Sequence, residues 1–230
     1  MTVTRPRAER GAFPPGTEHY GRSLLGAPLI WFPAPAASRE SGLILAGTHG
    51  DENSSVVTLS CALRTLTPSL RRHHVVLCVN PDGCQLGLRA NANGVDLNRN
   101  FPAANWKEGE TVYRWNSAAE ERDVVLLTGD KPGSEPETQA LCQLIHRIQP
   151  AWVVSFHDPL ACIEDPRHSE LGEWLAQAFE LPFGSWCADL NLHCITAEFP
   201  PISSDEASEK YLFAMANLLR WHPKDAIRPS

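Results

Sequence analysis

Residues 43–53 read LILAGTHGDEN. Leu43, Ile44, Leu45 and Ala46 make a short, continuously apolar run, the pattern of a strand buried on both faces. Gly47 closes it, and a histidine and a glutamate then follow three residues apart, His49-x-x-Glu52. The pair reads as two metal ligands or as a polar turn leaving a strand, and two residues cannot choose between these. From Asn53 the spacing changes, with Val56, Val57, Leu59, Leu63 and Leu66 at roughly helical intervals. Strand followed by helix is therefore the unit to look for elsewhere.

Upstream, residues 1–18 are polar and rich in Pro and Arg and read as an irregular lead-in. Arg22–Leu25 and Pro28–Phe32, separated by Gly26-Ala27, fit a short hairpin, so that 1–40 precedes the repeating pattern. Downstream, His74–Val79 is a second strand ended by the turn Asn80-Pro81-Asp82-Gly83. The segment 84–133 is long, polar and mostly irregular, which in a compact domain marks a functional loop. Ser134-x-x-Glu137 reads as a capping box for a helix carrying Ala140, Leu141, Leu144, Ile145 and Ile148. Ala151–Phe156 is a third buried strand, Leu171 to Phe179 a helix, and His193–Ala197 a further strand. Ser203-x-x-Glu206 caps a last helix running to about Trp221. The alternation predicts an α/β fold: a mixed, mainly parallel sheet with helices on both faces.

The 230 residues suit one large domain or two small ones, and with 43% hydrophobic and 20% charged residues the composition is that of an ordinary soluble globular protein. The net charge of −7 argues against a general nucleic-acid binder, which needs a basic surface. Any anionic ligand must be met by arginines placed locally. The basic N-terminus has no apolar core for a secretion signal, and no stretch reaches the ~18 apolar residues of a membrane span. The seven cysteines (61, 78, 84, 142, 162, 187, 194) contain no C-x-x-C pair and mostly sit in apolar runs, so reduced buried thiols are expected. These features together predict a cytoplasmic protein without membrane partners.

In open α/β sheets, ligands bind beyond the carboxyl ends of the strands. His49 and Glu52 follow the first strand, the Asn80-Pro81-Asp82-Gly83 turn the second, His157-Asp158 the third, and Glu198 closes the fourth. Each cluster alone has a plainer reading, His157 as a strand-end histidine and Glu198 as a surface carboxylate. Their coincidence at one sheet edge is harder to dismiss. Two imidazoles and a carboxylate with a fourth position open form the ligand set of a catalytic zinc site. Such an ion polarises a carbonyl and lowers the pKa of water towards ~7, and an unliganded carboxylate can then act as base. The segment from Arg89 to Phe101 adds two arginines and several asparagines, suited to holding a carboxylate or an oxyanion, or simply to a solvated loop.

His49-x-x-Glu52, Asn80-Pro81-Asp82-Gly83, Asp96-Leu97-Asn98-Arg99-Asn100-Phe101, His157 and Thr196-Ala197-Glu198-Phe199 occur in the order found in zinc carboxypeptidases of the M14 type. The chain resembles that family over about residues 40–222, and within it the amidases that release diaminopimelate from the murein tripeptide L-Ala-γ-D-Glu-meso-diaminopimelate. The resemblance implies a single zinc-peptidase domain over 1–230, one Zn2+ per chain and a small murein-derived peptide as substrate. It implies that His49, Glu52 and His157 ligate zinc, and that Glu198 is general base and then proton donor to the leaving amine. Arg89 would polarise the scissile carbonyl and steady the oxyanion, while Asn98 and Arg99 would grip the free carboxylate of the released residue. One departure stands out. The family usually carries a longer segment before the last core strand, with a tyrosine that closes over substrate. Here Glu180-Leu181-Pro182-Phe183-Gly184-Ser185-Trp186 connects helix and strand directly, and none of Tyr20, Tyr113 and Tyr211 fits that role.

Two other functions remain open from sequence: an N-acyl amino-acid deacylase of the aspartoacylase type, and a non-catalytic zinc or peptide-binding domain. The deacylase has no use for both the Asn-Pro-Asp-Gly and Asp-Leu-Asn-Arg-Asn-Phe motifs, and a binding domain should have lost a ligand or the base. His73 and His74 are expected to face solvent, and Trp106, Trp115 and Trp186 either line a pocket or pack. The 84–133 loop is also a candidate for subunit contacts, leaving a homodimer open.

Overall fold

The computed structural model describes residues 3–114, 123–183 and 193–223. An antiparallel pair, β1 (Glu18–Arg22) and β2 (Pro28–Trp31), precedes the main sheet. The hairpin thus begins four residues earlier than the sequence pattern suggests, because Glu18 to Arg22 pairs with the second strand and Ser23 to Ala27 form the turn. The chain continues through β3 (Leu43–Leu45), α1 (Asn53–Thr65), β4 (His74–Val76) and α2 (Pro81–Leu86). A second hairpin, β5 (Glu110–Arg114) and β6 (Asp123–Leu127), leads to α3 (Pro136–Ile148) and β7 (Val153–His157). Then come β8 (Cys162–Glu164), α4 (Glu170–Phe179), β9 (Cys194–Glu198) and α5 (Ser204–Leu218).

The five-stranded sheet has the order β4-β3-β7-β9-β8, parallel throughout except for β8, which runs antiparallel beside β9. This is the mixed, mainly parallel sheet expected from the strand–helix alternation. Period-two alternation splits the strand residues between two cores. Ile44, Ala46, Val154, Phe156, Ile195 and Ala197 pack with α1, α4 and α5 on one face. Leu43, Leu45, Val76 and Val153 meet Leu141 and Leu144 of α3, with Trp31 and Leu97, on the other. No helix among the described residues is long and apolar enough to cross a membrane.

Several local expectations change. Asn80-Pro81-Asp82-Gly83 does not simply turn but opens α2: Asn80 Oδ1 accepts from Gly83 N at 2.9 Å and Pro81 takes the first helical position. The 84–133 segment is partly ordered by the β5–β6 hairpin and a 3-10 turn at Leu97–Arg99. At α3 the N-cap is Glu135, without a side-chain cap, rather than Ser134. Glu137 is instead drawn into the interior, where it accepts from Leu24 N (2.8 Å) and Asn91 Nδ2 (3.2 Å). At α5 the capping box forms as read, with Ser203 and Glu206 exchanging bonds. His73 and His74 are buried, not solvent-facing: His73 bonds Gly42 N and Trp221 O, and His74 accepts from Ala34 N. Burial pushes both imidazoles down to about 4. The six described cysteines are free thiols, half-buried rather than fully buried.

Candidate metal centre and active site

β3, β7 and β9 run parallel, so their carboxyl ends share one edge. His157 closes β7 directly opposite Glu198, which closes β9. The loop after β3 brings His49 and Glu52 to the same place and is clamped there. Asn80 N donates to Gly47 O at 2.8 Å, and Gly50 N to Arg89 O at 3.3 Å. Gly50 lies so close to Gly83 and Cys84 that a Cβ there would drive into their backbone. Only glycine lets the loop seat on the start of α2.

His49, Glu52 and His157 are all buried, and one ligand atom from each lies within 4.8 Å of the others. His49 Nδ1 is 2.7 Å from Glu52 Oε1, His157 Nδ1 is 2.9 Å from Glu52 Oε2, and the two Nδ1 atoms are 3.1 Å apart. Each imidazole is held from behind through its other nitrogen. His49 Nε2 faces Asp96 Oδ1 at 3.1 Å, and His157 Nε2 faces Ser155 Oγ at 3.0 Å. Protons on the Nε2 atoms leave both Nδ1 lone pairs directed at the common centre, the arrangement of metal-binding histidines with outer partners. Neutral imidazole nitrogens and a carboxylate with one position left open are the donor chemistry of a catalytic zinc. The residues present fit that ion.

Without a metal, the same groups hold a proton. Burial alone would lower the His49 pKa, but Glu52 and Asp96 outweigh it and raise it to about 9. Glu52, whose burial acts the other way, is held far below the ordinary carboxylate range by the two histidines. Glu198 stands apart from this exchange. Its carboxyl is raised by burial, against the opposing pull of His157, and its Oε2 is buried without a hydrogen-bond partner. A carboxylate in that state is more basic than usual. Beside His157, Asp158 accepts from Ser54 Oγ at 2.6 Å, tying the end of β7 to α1.

Arg89 reaches the cluster, with Nη1 2.6 Å from Glu52 Oε1 and Nε 3.7 Å from Asp96 Oδ2. Asn98 and Arg99 are exposed on the 3-10 turn, which Asp96 caps by accepting from Asn98 N at 2.9 Å. The second strand-end motif plays a different part: Asp82 binds Ser23 Oγ and Leu25 N, and Asn80 Nδ2 donates to Ala90 O, so the motif positions the Arg89 segment. Asp96 and Ser155 were not singled out from sequence. Asp96 opens the Asp-Leu-Asn-Arg motif and Ser155 lies two residues before His157, where a same-face partner of a strand-end ligand would sit. Trp106 donates to Thr128 O at 3.3 Å, while Trp115 and Trp186 lie outside the described residues.

This fold and site define a zinc carboxypeptidase, and the chain belongs to that family: the zinc carboxypeptidase (M14) profile matches residues 16–159. Over full length it is 95% identical to murein peptide amidase A of Escherichia coli strain K12, across 242 positions covering 100% of both chains. It is 53% identical to murein peptide amidase A of Vibrio campbellii, covering 95% of this chain and 93% of that one. The crystal structure of a murein-tripeptide amidase from Escherichia coli O157 superposes with a TM-score of 0.92 at 96% identity, covering 98% of this chain and 100% of that chain. Thrombin-activatable fibrinolysis inhibitor shares the fold, with a TM-score of 0.65 at 17% identity over 95% of this chain and 70% of that one. The K12 alignment spans 242 positions against 230 residues here, so the relative has at least twelve residues that this chain lacks. Twelve positions in 242 are about 5%, which matches the non-identity to within rounding.

Proposed function

We propose that this chain, as one zinc-peptidase domain over residues 1–230, hydrolyses the γ-D-glutamyl–meso-diaminopimelate bond of the murein tripeptide. The observation that carries the substrate is the 95% identity to murein peptide amidase A along the entire chain. His49, Glu52 and His157 would hold one zinc, which supplies Lewis acidity towards water and the scissile carbonyl. Glu198, basic through burial and directly across from His157, takes the attacking water's proton and passes it to the departing amine. The amide C–N bond breaks, leaving the γ-carboxylate on glutamate and a free amine on diaminopimelate. Arg89, at the edge of the cluster, is suited to the oxyanion that forms on the carbonyl. Asn98 and Arg99, exposed beside it, hold the terminal carboxylate of the departing residue.

We also place the twelve-residue difference in the Glu180–Trp186 connection, where the chain is shorter than the family pattern. A role in cell-wall peptide recycling in the cytoplasm agrees with the free thiols, including Cys78 and Cys84 with sulfurs 3.1 Å apart. The decisive experiment incubates the zinc-loaded protein with the tripeptide and a panel of ordinary peptides. Diaminopimelate release from the tripeptide, with little cleavage of the panel, is expected. Preferential cleavage of ordinary C-terminal residues would overturn the substrate assignment.

A further inference from the structure

β9 is flanked on both sides in the sheet, by β7 and β8. On the face packed with α1, α4 and α5 its neighbourhood is sealed: Val154, Ile163, Ile195 and Ala197 are all 0% exposed. The opposite face differs. There, in-register residues of three adjacent strands form two polar rows. The outer row is His157, Glu198 and Cys162; the inner row, two residues further into the sheet, is Ser155, Thr196 and Glu164. Thr196 and Glu164 are only half-buried although they belong to a packed sheet, so both keep some exposure on this face. Beyond the inner row the same face continues into the apolar cluster through Val153 and Cys194.

Two residues of strand separate the rows by about 6.6 Å. The stem of diaminopimelate, three methylenes between two α-carbons, spans about 5 Å when extended. With its near end at Glu198 and the metal group, its far end falls level with the inner row. That far end carries an ammonium and a carboxylate, and Glu164 is the anionic member of the row. A carboxylate accepts through about four lone-pair sites, so contacts Glu164 makes within the fold leave it capacity for another donor.

We propose that Glu164 is the specificity-determining residue for the released amino acid, accepting a charge-assisted hydrogen bond from the ammonium at its far end, with the Thr196 hydroxyl beside it. The inference rests on the function proposed above, since it takes the released residue to enter beneath the metal group. It names what sets diaminopimelate apart from an ordinary apolar C-terminal residue. A site that hydrogen-bonds a polar group of its ligand discriminates against an analogue that lacks that group.

Binding is tested separately from turnover. The zinc-loaded wild type, E164Q and E164L are titrated calorimetrically with meso-diaminopimelate and with norleucine, which keeps the stem but lacks the far ammonium and carboxylate. The same proteins are assayed on L-Ala-γ-D-Glu tripeptides ending in either residue. Wild type should prefer diaminopimelate at least tenfold. E164Q should lose most of that preference while keeping its zinc and its norleucine affinity, and E164L should favour norleucine. A wild type without preference, or an E164Q variant that keeps it or weakens both ligands equally, would overturn the assignment. If diaminopimelate binds through Glu164 but is not released from the tripeptide, the specificity residue stands and the proposed reaction falls.

Discussion

His49 sits between two carboxylates, Glu52 and Asp96, and as a proposed zinc ligand its charge there would govern metal loading. Its pKa of about 9 means that, through the neutral range, the metal-free site holds a proton that zinc must expel. Apparent zinc affinity should therefore climb with pH, by close to tenfold per unit between about pH 6.5 and 8.5, and flatten above about 9; competition with a chromophoric chelator measures it. Asp96→Asn removes the anchor behind His49 and should weaken zinc by ~10–100-fold with the fold retained. Glu198→Gln should keep zinc and tripeptide binding yet lower kcat by ~10²–10⁴, read as diaminopimelate release on one preparation. Release within a few-fold of wild type would remove Glu198 from the base role. That His49, Glu52, His157 and Glu198 meet at one sheet edge was legible in sequence, because rare polar residues end apolar runs. Asp96 and Ser155 could not be assigned that way, because a hydrogen-bond partner 47 residues from His49 is fixed only by the fold. His73 and His74 misled for the same reason, their partners being loop atoms at Ala34, Gly42 and Trp221.

At the scale of elements, β3, β4 and β7 are readable in sequence because burial on both faces leaves a mostly apolar run with little alternation to misread. β8 is not legible in sequence, because three residues, Cys162, Ile163 and Glu164, carry too little pattern. In sequence α2 reads as a turn, because Asn followed by Pro opens both a turn and a helix; the bond from Gly83 N to Asn80 decides it. Glu137 has the spacing from Ser134 of a capping residue, but Leu24 N and Asn91 claim its carboxylate. These elements meet where Gly50 rests on the backbone of Gly83 and Cys84. Gly50→Ala should force the His49–Glu52 loop off α2. We expect zinc affinity to fall at least tenfold while circular dichroism stays near wild type, because the sheet and both cores lie elsewhere. Wild-type affinity in that variant would mean the loop is not held by this contact.

Over the whole molecule, the candidate metal group and Glu198 are positioned by the sheet, whereas the role proposed for the connection before β9 is closure over substrate. β9 is entered at His193, whose carbonyl accepts from Val153 N at 2.8 Å and whose Nε2 lies 3.1 Å from Asp165 Oδ1. The His157–Glu198 pairing is thus set by strand register and does not depend on the length of the segment before β9. A chain twelve residues shorter than its Escherichia coli relative should therefore bind zinc as tightly as that relative does. Turnover is another matter. A segment that folds over bound peptide excludes water and fixes the scissile bond against the base, and shortening it exposes the site in the bound state. With the difference placed at the Glu180–Trp186 connection, this chain should hydrolyse the tripeptide with kcat/KM about tenfold or more below that of the longer enzyme. Inserting the relative's extra segment there should restore it. Zinc affinity and steady-state kinetics of the two chains and the insertion variant, measured side by side, check both halves. Equal kcat/KM in the shorter and longer chains would mean that the missing residues take no part in closure.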